Sequence, residues 1–505
     1  MSLKRNILAS YVTQLYVTLI GILILPLYLK YMGAEAYGLV GFFTMLQAWF
    51  NLLDMGLTPT VARETARFRG GASDALTYRR LLRALQSIFI AVALLGGGAM
   101  FAFSGQIANG WLNVQTLPRP QVQLALQLMT GGVALRWMSG LYRGCISGSE
   151  QLVWLGGFNA FVATLRFVVV LPVLIWVGNS PAVFFTYQLL VAMIELVGLG
   201  AKAHGSFPAI PPGQPLGWSP SSLFKPIRPV LRFSLAISFT SLVWVLVTQT
   251  DKLVLSGILP LAEYGYFTLA VLVASGIMII SGPISSAIMP RMTILFAEGK
   301  YEELRRVYRD STQLVSIIAG SAAITLAFFS EKLLFAWTGD LRLAEQAGPI
   351  LRLYSIGNGF LAVAAFPYYL QYSKGILRYH LIGNAGMVVI LIPGLIYAAT
   401  HFGATGAGYV WVAMNGLYLG TWVAYVHHKL EPGLHVKWMF NDVLKISIPA
   451  IAVAFVFATI SADHLSRIHS FFLVFLVGVL TVFVSLVCST SVRNMLLIKF
   501  SQKVL

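Results

Sequence analysis

Asp251 and Lys252 stand side by side inside an apolar stretch, WVLVTQTDKLVLSGILPLAEYGYF, that runs from Trp244 to Phe267. A charge near the centre of a bilayer costs about 3 kcal/mol on insertion scales, so it faces protein or water rather than lipid. Adjacent helix residues lie about 100° apart, which excludes an ideal i, i+4 pair. Two readings follow: mutual neutralisation that holds a helix in register, or part of a polar pathway through the membrane. Arg166 is the other deep charge, 14 and 11 residues from the ends of its apolar stretch 152–177. That is roughly 16–21 Å of helix, beyond easy snorkelling. Arg136 lies six residues before Tyr142, Arg352 lies close to the outer end of its stretch, and Lys252 about five residues from its own. A cavity lined by Arg166, Lys252, Arg136 and Arg352 suits an anion, because desolvated Arg and Lys bind phosphate through charge-assisted hydrogen bonds.

Carboxylates are fewer: Asp54, Asp251 and Glu195 lie inside or near the ends of apolar stretches. A carboxylate in a low dielectric exchanges a proton near neutral pH or holds Na⁺, so Asp251 and Glu195 are the candidates for ion coupling. Asp54 suits a different task, capping the loop that begins Thr58-Pro59.

The elements that position these groups are membrane helices. The 505 residues are 57% hydrophobic and 10% charged, against about 25% charged for a soluble domain. Stretches of about 20 apolar residues mark about fourteen spans, near 7–29, 37–57, 84–104, 122–142, 152–177, 183–201, 233–257, 265–288, 312–329, 350–370, 381–399, 406–426, 446–462 and 470–488. Twenty-six of the 35 Lys and Arg lie on the N-terminal side of the membrane, among them six Arg from Arg63 to Arg83, Arg143, and five basic residues from Arg291 to Arg309. Five lie opposite: Lys30, Arg119, Lys332, Arg342 and Arg467. The positive-inside rule then makes both termini cytoplasmic. The net charge of +17 is spread between spans rather than clustered on a soluble face, which excludes nucleic acid as a partner.

The chain also repeats itself. Tyr37-Gly38 recurs as Tyr264-Gly265, Arg79-Arg80 as Arg305-Arg306, Phe103-Ser104 as Phe329-Ser330 and Asn159-Ala160 as Asn384-Ala385, at offsets of 225 to 227 residues. Six spans duplicate as six more in the same orientation, a parallel repeat of the kind that supports alternating access. The domains expected are a six-helix bundle at 1–201, a proline-rich linker at 202–232, a second six-helix bundle at 233–427, and two additional spans with a tail at 428–505. Two amphipathic helices, Ser73 to Arg83 and Glu298 to Asp310, are expected at the cytoplasmic surface.

Enzyme signatures are missing. No glycine-rich phosphate loop ends in Lys-Ser or Lys-Thr, and His427-His428 beside Lys429 has no further ligands at metal spacing. Cys145 and Cys488 imply neither a disulfide framework nor a metal site. No catalytic residue and no metal is therefore assigned. The N-terminus lacks a cleavage site, so the first span is read as retained.

Three stretches carry a resemblance: KRNILASYVTQLYVTLIGILILPLYLKYMGAEAYGLVGFF, LLDMGLTPTVARETAR and TQTDKLVLSGILPLAEYGYFTLA. They resemble the Wzx-type flippases of bacterial polysaccharide biosynthesis, in the multidrug/oligosaccharidyl-lipid/polysaccharide (MOP) exporter superfamily. The resemblance implies an all-α polytopic fold, two six-helix MATE-like bundles plus two C-terminal helices, with a central cavity. It implies movement of an undecaprenyl-pyrophosphate-linked oligosaccharide, O-antigen or a similar repeat unit, from the cytoplasmic to the periplasmic leaflet of the bacterial inner membrane. It further implies a cationic cavity (Arg136, Arg166, Lys252 and Arg352 here), and antiport coupled to H⁺ or Na⁺ with Asp251 and Glu195 as titrating partners. A polysaccharide polymerase and a chain-length regulator are the implied protein partners, and no cofactor beyond the coupling ion. Tyr11, Tyr16, Trp49, Trp137, Trp244 and Tyr354 are candidates for stacking on sugar faces. The alternatives are a multidrug or lipid II exporter of the same superfamily, and a membrane polymerase or ligase. A drug exporter for cations needs an anionic cavity, and an enzyme of that kind needs a larger external loop than the longest here, about Ser330 to Pro349.

Overall fold

Long apolar helices joined by short turns account for nearly all of the chain in the computed structural model, which describes residues 3–54, 56–209, 225–461 and 465–493. The side chain of Tyr11, most of the proline-rich stretch, and Lys499 and Lys503 lie outside the described residues. Among the described residues, eleven helical stretches are long and apolar enough to cross a bilayer, so the protein is a multi-pass membrane protein. One of these, Arg378–Leu430, has 53 residues and breaks at Gly403, whose φ of 59° and ψ of −145° are non-helical. It covers the two spans expected at 381–399 and 406–426. The 30-residue helix Arg119–Gly148 is not among the eleven, because Gln121, Gln123, Gln127, Arg136 and Arg143 lower its hydropathy. It is nevertheless a core helix: Val122, Leu126, Met129, Val133, Trp137 and Leu141 are buried.

Contacts divide the chain into two units, Met1–Gly265 and Tyr266–Leu505. In the first, Arg119–Gly148 packs along Pro181–His204, Leu57–Arg69 and Ala75–Ala102, while Leu3–Leu23 packs on Leu152–Thr164. The helix Arg228–Ile258 groups with this unit, against Ala34–Phe50 and Leu57–Arg69. Its end is tied down by Trp111 Nε1, which donates to Ser256 Oγ at 2.9 Å, and by Leu261 N, which donates to Asn113 O at 3.0 Å. Gly38 lies against this joint so closely that a Cβ there would sit 2.1 Å from Leu261 O.

In the second unit, Leu341–Ala364 packs on Arg378–Leu417, and the last two long helices, Lys445–Ile460 and Arg467–Cys488, pack on each other and on Ser321–Phe328. Ser321 pairs with Ser485 at 3.0 Å and Thr325 with Thr481 at 3.1 Å, a hydroxyl ladder with a four-residue step on each helix. Arg309 grips the buried Asp442 through Nε and Nη2 at 2.7 and 3.1 Å.

The two surface helices expected at Ser73–Arg83 and Glu298–Asp310 are not separate elements. The first is the opening of the continuous helix Ala75–Ala102, capped by Asp74, which accepts from Thr77 N at 2.8 Å and from Thr77 Oγ1 at 2.7 Å. The second opens Tyr301–Val315, which runs on through a π turn into Ser321–Phe328. No glycine or proline stands between Arg83 and Ile90, or between Glu302 and Ala319, so nothing stops either helix from continuing.

Candidate functional site

The site is assembled by three helical stretches of the first unit. Residues seven apart recur on one helix face, separated by about 10 Å along the axis. Arg119–Gly148 presents Arg136 and Arg143 at that spacing, and Pro181–His204 presents Gln188 and Glu195 at the same spacing. The rungs match. Arg136 Nη2 donates to Gln188 Oε1 at 2.9 Å, and Arg143 Nη2 donates to Glu195 Oε1 at 2.6 Å. Arg136 Nη1 also donates to Gln47 Oε1 at 3.1 Å, and its guanidinium lies 4.8 Å over the Phe43 ring. Arg143 Nη1 reaches Asn159 Oδ1 at 2.8 Å.

Arg166 enters from a third direction. It lies in a π turn, Leu165–Val169, between the helical segments Leu152–Thr164 and Val170–Trp176. A π turn displaces carbonyls from the regular ladder, and in a membrane each needs another partner. Tyr187 donates to Leu165 O at 2.9 Å, Gln188 Nε2 to Arg166 O at 3.0 Å, and Tyr28 to Phe167 O at 3.0 Å. The backbone carrying Arg166 is thus fixed from two neighbouring elements. Its side chain then donates from Nη2 to Glu195 Oε2 at 2.7 Å.

One buried carboxylate therefore holds two guanidinia, one on each oxygen. The Nε atoms of Arg136 and Arg166 are buried and have no hydrogen-bond partner. The group opens into a polar cavity of about 310 Å³ whose lining includes Gln47, Asn51 and Asp54 besides the three arginines and Glu195. Three cations against two carboxylates leave it net positive. Asp54 serves as a cap: its Oδ1 accepts from Thr58 N at 3.2 Å and from Thr58 Oγ1 at 2.7 Å. Such a cavity can replace part of the hydration shell of a phosphate or pyrophosphate, since guanidinia give paired, charge-assisted donors.

Of the residues singled out from sequence, the structure brings together Arg136, Arg166 and Glu195. Lys252 and Asp251 are not in that lining; they pair with each other at 3.7 Å, and Lys252 Nζ also donates to Thr248 O at 2.6 Å. Arg352 belongs to the second unit, where its guanidinium is half exposed and 3.8 Å from Glu331. Arg143, placed by sequence among the loop cations, is corrected to a cavity residue. It stands five residues from the end of its helix, and its long side chain turns inward to Glu195. The matched seven-residue spacings were the signal that finds it. Trp137 lines the cavity but is buried, with one face stacked on Phe89 at 4.3 Å, and Tyr354 is buried with its ring stacked on Trp411 at 5.9 Å. Tyr16 and Trp244 remain exposed.

The second repeat lacks this charge. At the 225-residue offset of Asn159 and Asn384, Arg143 corresponds to Tyr368, Arg166 to Leu391 and Glu195 to Gly420. At these positions the second repeat has no counterpart of the Arg143–Glu195–Arg166 cluster.

The fold and the site together define a multi-pass helical membrane protein with an arginine-lined polar cavity in its first unit. That fold is found in the lipid II flippase MurJ in an inward closed conformation, at a TM-score of 0.71, 13% identity, and coverage of 94% of this chain and 97% of that one. It is found again in an inward-facing MATE-family multidrug resistance transporter of the MOP superfamily, at a TM-score of 0.64, 14% identity, and coverage of 83% and 94%. By sequence, a Shigella flexneri protein named as a candidate O-antigen transporter is 19% identical over 418 residues, covering 81% of this chain and 94% of that protein. The profile described as polysaccharide biosynthesis protein matches residues 3–296, and the chain belongs to that family.

Proposed function

We propose that the protein carries an undecaprenyl-pyrophosphate-linked oligosaccharide, an O-antigen or similar repeat unit, from the cytoplasmic to the outer leaflet of the bacterial inner membrane. The observation that carries this reading is the convergence of Arg136, Arg143 and Arg166 on a water-accessible cavity whose internal counter-ion is Glu195. Glu195 is paired with two of the three guanidinia, one on each carboxylate oxygen, and offsets one positive charge. An arriving pyrophosphate competes for those guanidinia, and a proton on Glu195 releases them, so proton uptake and anion binding favour the same state. Na⁺ at Glu195 acts in the same sense; an ion and an anion that favour one state are positively coupled, which is not the mutual exclusion that antiport needs. Family membership and the named O-antigen relative support the sugar-carrier reading.

A second reading, a lipid II flippase, is supported by the coverage of the MurJ fold. Its cargo carries the same pyrophosphate, so the arginine cavity suits both. Deletion of the gene separates them through the lipid-linked sugar that accumulates. The site itself is tested by Arg166→Ala, which is expected to abolish complementation of a flippase-null strain at unchanged protein level, with Arg166→Lys retaining part of it. Normal surface polysaccharide from Arg166→Ala removes Arg166 from the mechanism.

A further inference from the structure

The segment from Arg63 to Arg83 carries six arginines against Glu64 and Asp74. Arg63 and Arg67 share Glu64, at 3.6 and 3.2 Å, and the Asp74 carboxylate caps a helix. Even with Glu150 on the adjoining turn counted, cations exceed anions by three. The repeat counterpart in the second unit is built differently. Arg291 faces Glu303, Lys300 faces Glu298, Arg305 faces Glu302 and Glu431, Arg306 faces Asp310, and Arg309 faces Asp442, all within 3.7 Å. The positive-inside rule accounts for basic residues in both places. It does not account for one being neutralised and the other left cationic.

A cavity of about 160 Å³ opens on the cationic one, lined by Thr65, Phe68, Arg69, Tyr78, Ser206 and Phe207, among others. Phe68 and Tyr78 stack at 4.6 Å and 3°, which makes a flat apolar wall. The Arg79 guanidinium lies 5.0 Å over the Phe207 ring, and its Nε is buried with no hydrogen-bond partner. Arg69 is exposed, and neither Arg69 nor Arg79 has an ion pair among the described residues. Guanidinia beside apolar walls are the chemistry of a phosphate that carries a hydrocarbon body.

We propose that this cavity binds the phosphodiester of an acidic phospholipid of the surrounding leaflet, with Arg69 of the lining on the phosphate, Arg79 adding positive charge from over the Phe207 ring, and Phe68, Tyr78 and Phe207 against the glycerol and first acyl carbons. The cavity is about half the size of the arginine–glutamate cavity, which fits a headgroup better than a saccharide chain. The site is independent of the carrier reading above.

The test uses the purified full-length protein in nanodiscs of phosphatidylcholine with added phosphatidylglycerol, and native mass spectrometry of retained lipid. Wild type is expected to retain phosphatidylglycerol preferentially. The double variant Arg69→Gln/Arg79→Gln is expected to lose that preference about thirty-fold, from the contribution of two arginines at a membrane surface. Ser206→Trp fills the cavity while keeping every charge and is expected to weaken retention as well; it decides the matter if the double variant does not fold. Arg306→Gln, in the charge-paired counterpart, is expected to change nothing. Unchanged retention in both cavity variants overturns the proposal, as does an equal loss in Arg306→Gln, which would mean bulk surface charge. Displacement of the lipid by millimolar inorganic pyrophosphate assigns the cavity to free phosphate anions and overturns the lipid assignment.

Discussion

Glu195→Gln separates the two tasks assigned to one carboxylate. The replacement keeps the shape and one acceptor, and removes the charge that Arg143 and Arg166 share at 2.6 and 2.7 Å. Breaking a fully buried ion pair costs about 3–5 kcal/mol. Here Glu195 is buried, but the Arg143 and Arg166 side chains are 37% and 22% exposed toward the cavity, so water recovers part of that and a loss of about 2 kcal/mol is expected. The same change makes the cavity more positive by one unit. A unit charge about 5 Å away is worth about 3 kcal/mol at an effective dielectric of 20. With further screening by cavity water, a gain of about 1.4 kcal/mol, tenfold in affinity, is expected for pyrophosphate. The assay is a thermal melt of detergent-purified protein with and without pyrophosphate, together with uptake of lipid-linked sugar in vesicles under an imposed pH gradient. The melting temperature falls without ligand, the shift produced by pyrophosphate grows, and transport stops responding to the gradient. Affinity that falls together with stability, or stays unchanged, refutes the counter-ion reasoning.

Three further outcomes are expected. Lys252→Met should impair the protein by removing a counter-ion of the buried Asp251, while Asp251→Asn/Lys252→Met restores both expression and transport; failure of that rescue would return the pair to the transport pathway. Gly38→Ala should destabilise the protein by about 1–3 kcal/mol, read as a lower melting temperature, because its Cβ would meet the backbone oxygen of Leu261 at 2.1 Å; a melt identical to wild type contradicts that packing. Burial raises the Glu431 carboxyl, but hydrogen bonds from Lys374 Nζ at 2.6 Å and Arg305 Nη2 at 2.8 Å outweigh it and hold the group below the usual glutamate range. A folded value below the unfolded one stabilises above the ordinary range and is lost as pH falls through the folded value. Glu431→Gln should therefore lower the melting temperature at pH 7 and converge with wild type in acid; a pH-independent difference excludes the ionic origin.

The membrane-spanning character of the fold was plain from hydropathy, because a bilayer admits few structures and helices of apolar residues dominate them. Arg166 was legible because depth alone forces it inward: no side chain reaches water from the middle of a 25-residue helix. The direction of Asp251 and Lys252 was not, since two adjacent charges admit a local pair as readily as a shared cavity. Arg143 was misplaced because nearness to a helix end looks the same for a topological cation and for one that folds back. Its partner Glu195 sits on a helix 52 residues on, at the offset that also joins Arg136 to Gln188, and only the two spacings taken together reveal the ladder. The π turn under Arg166 left no composition signal. It depends on Tyr28, Tyr187 and Gln188 arriving from neighbouring elements.

The central claim is that the three arginines of the first unit receive the pyrophosphate. Titration of a short-chain polyprenyl pyrophosphate against purified protein, in wild type and in Arg136→Gln, Arg143→Gln and Arg166→Gln, tests it most directly. Salt-sensitive binding that weakens at least tenfold in each single variant is the predicted result. Binding that survives replacement of all three at full strength contradicts it.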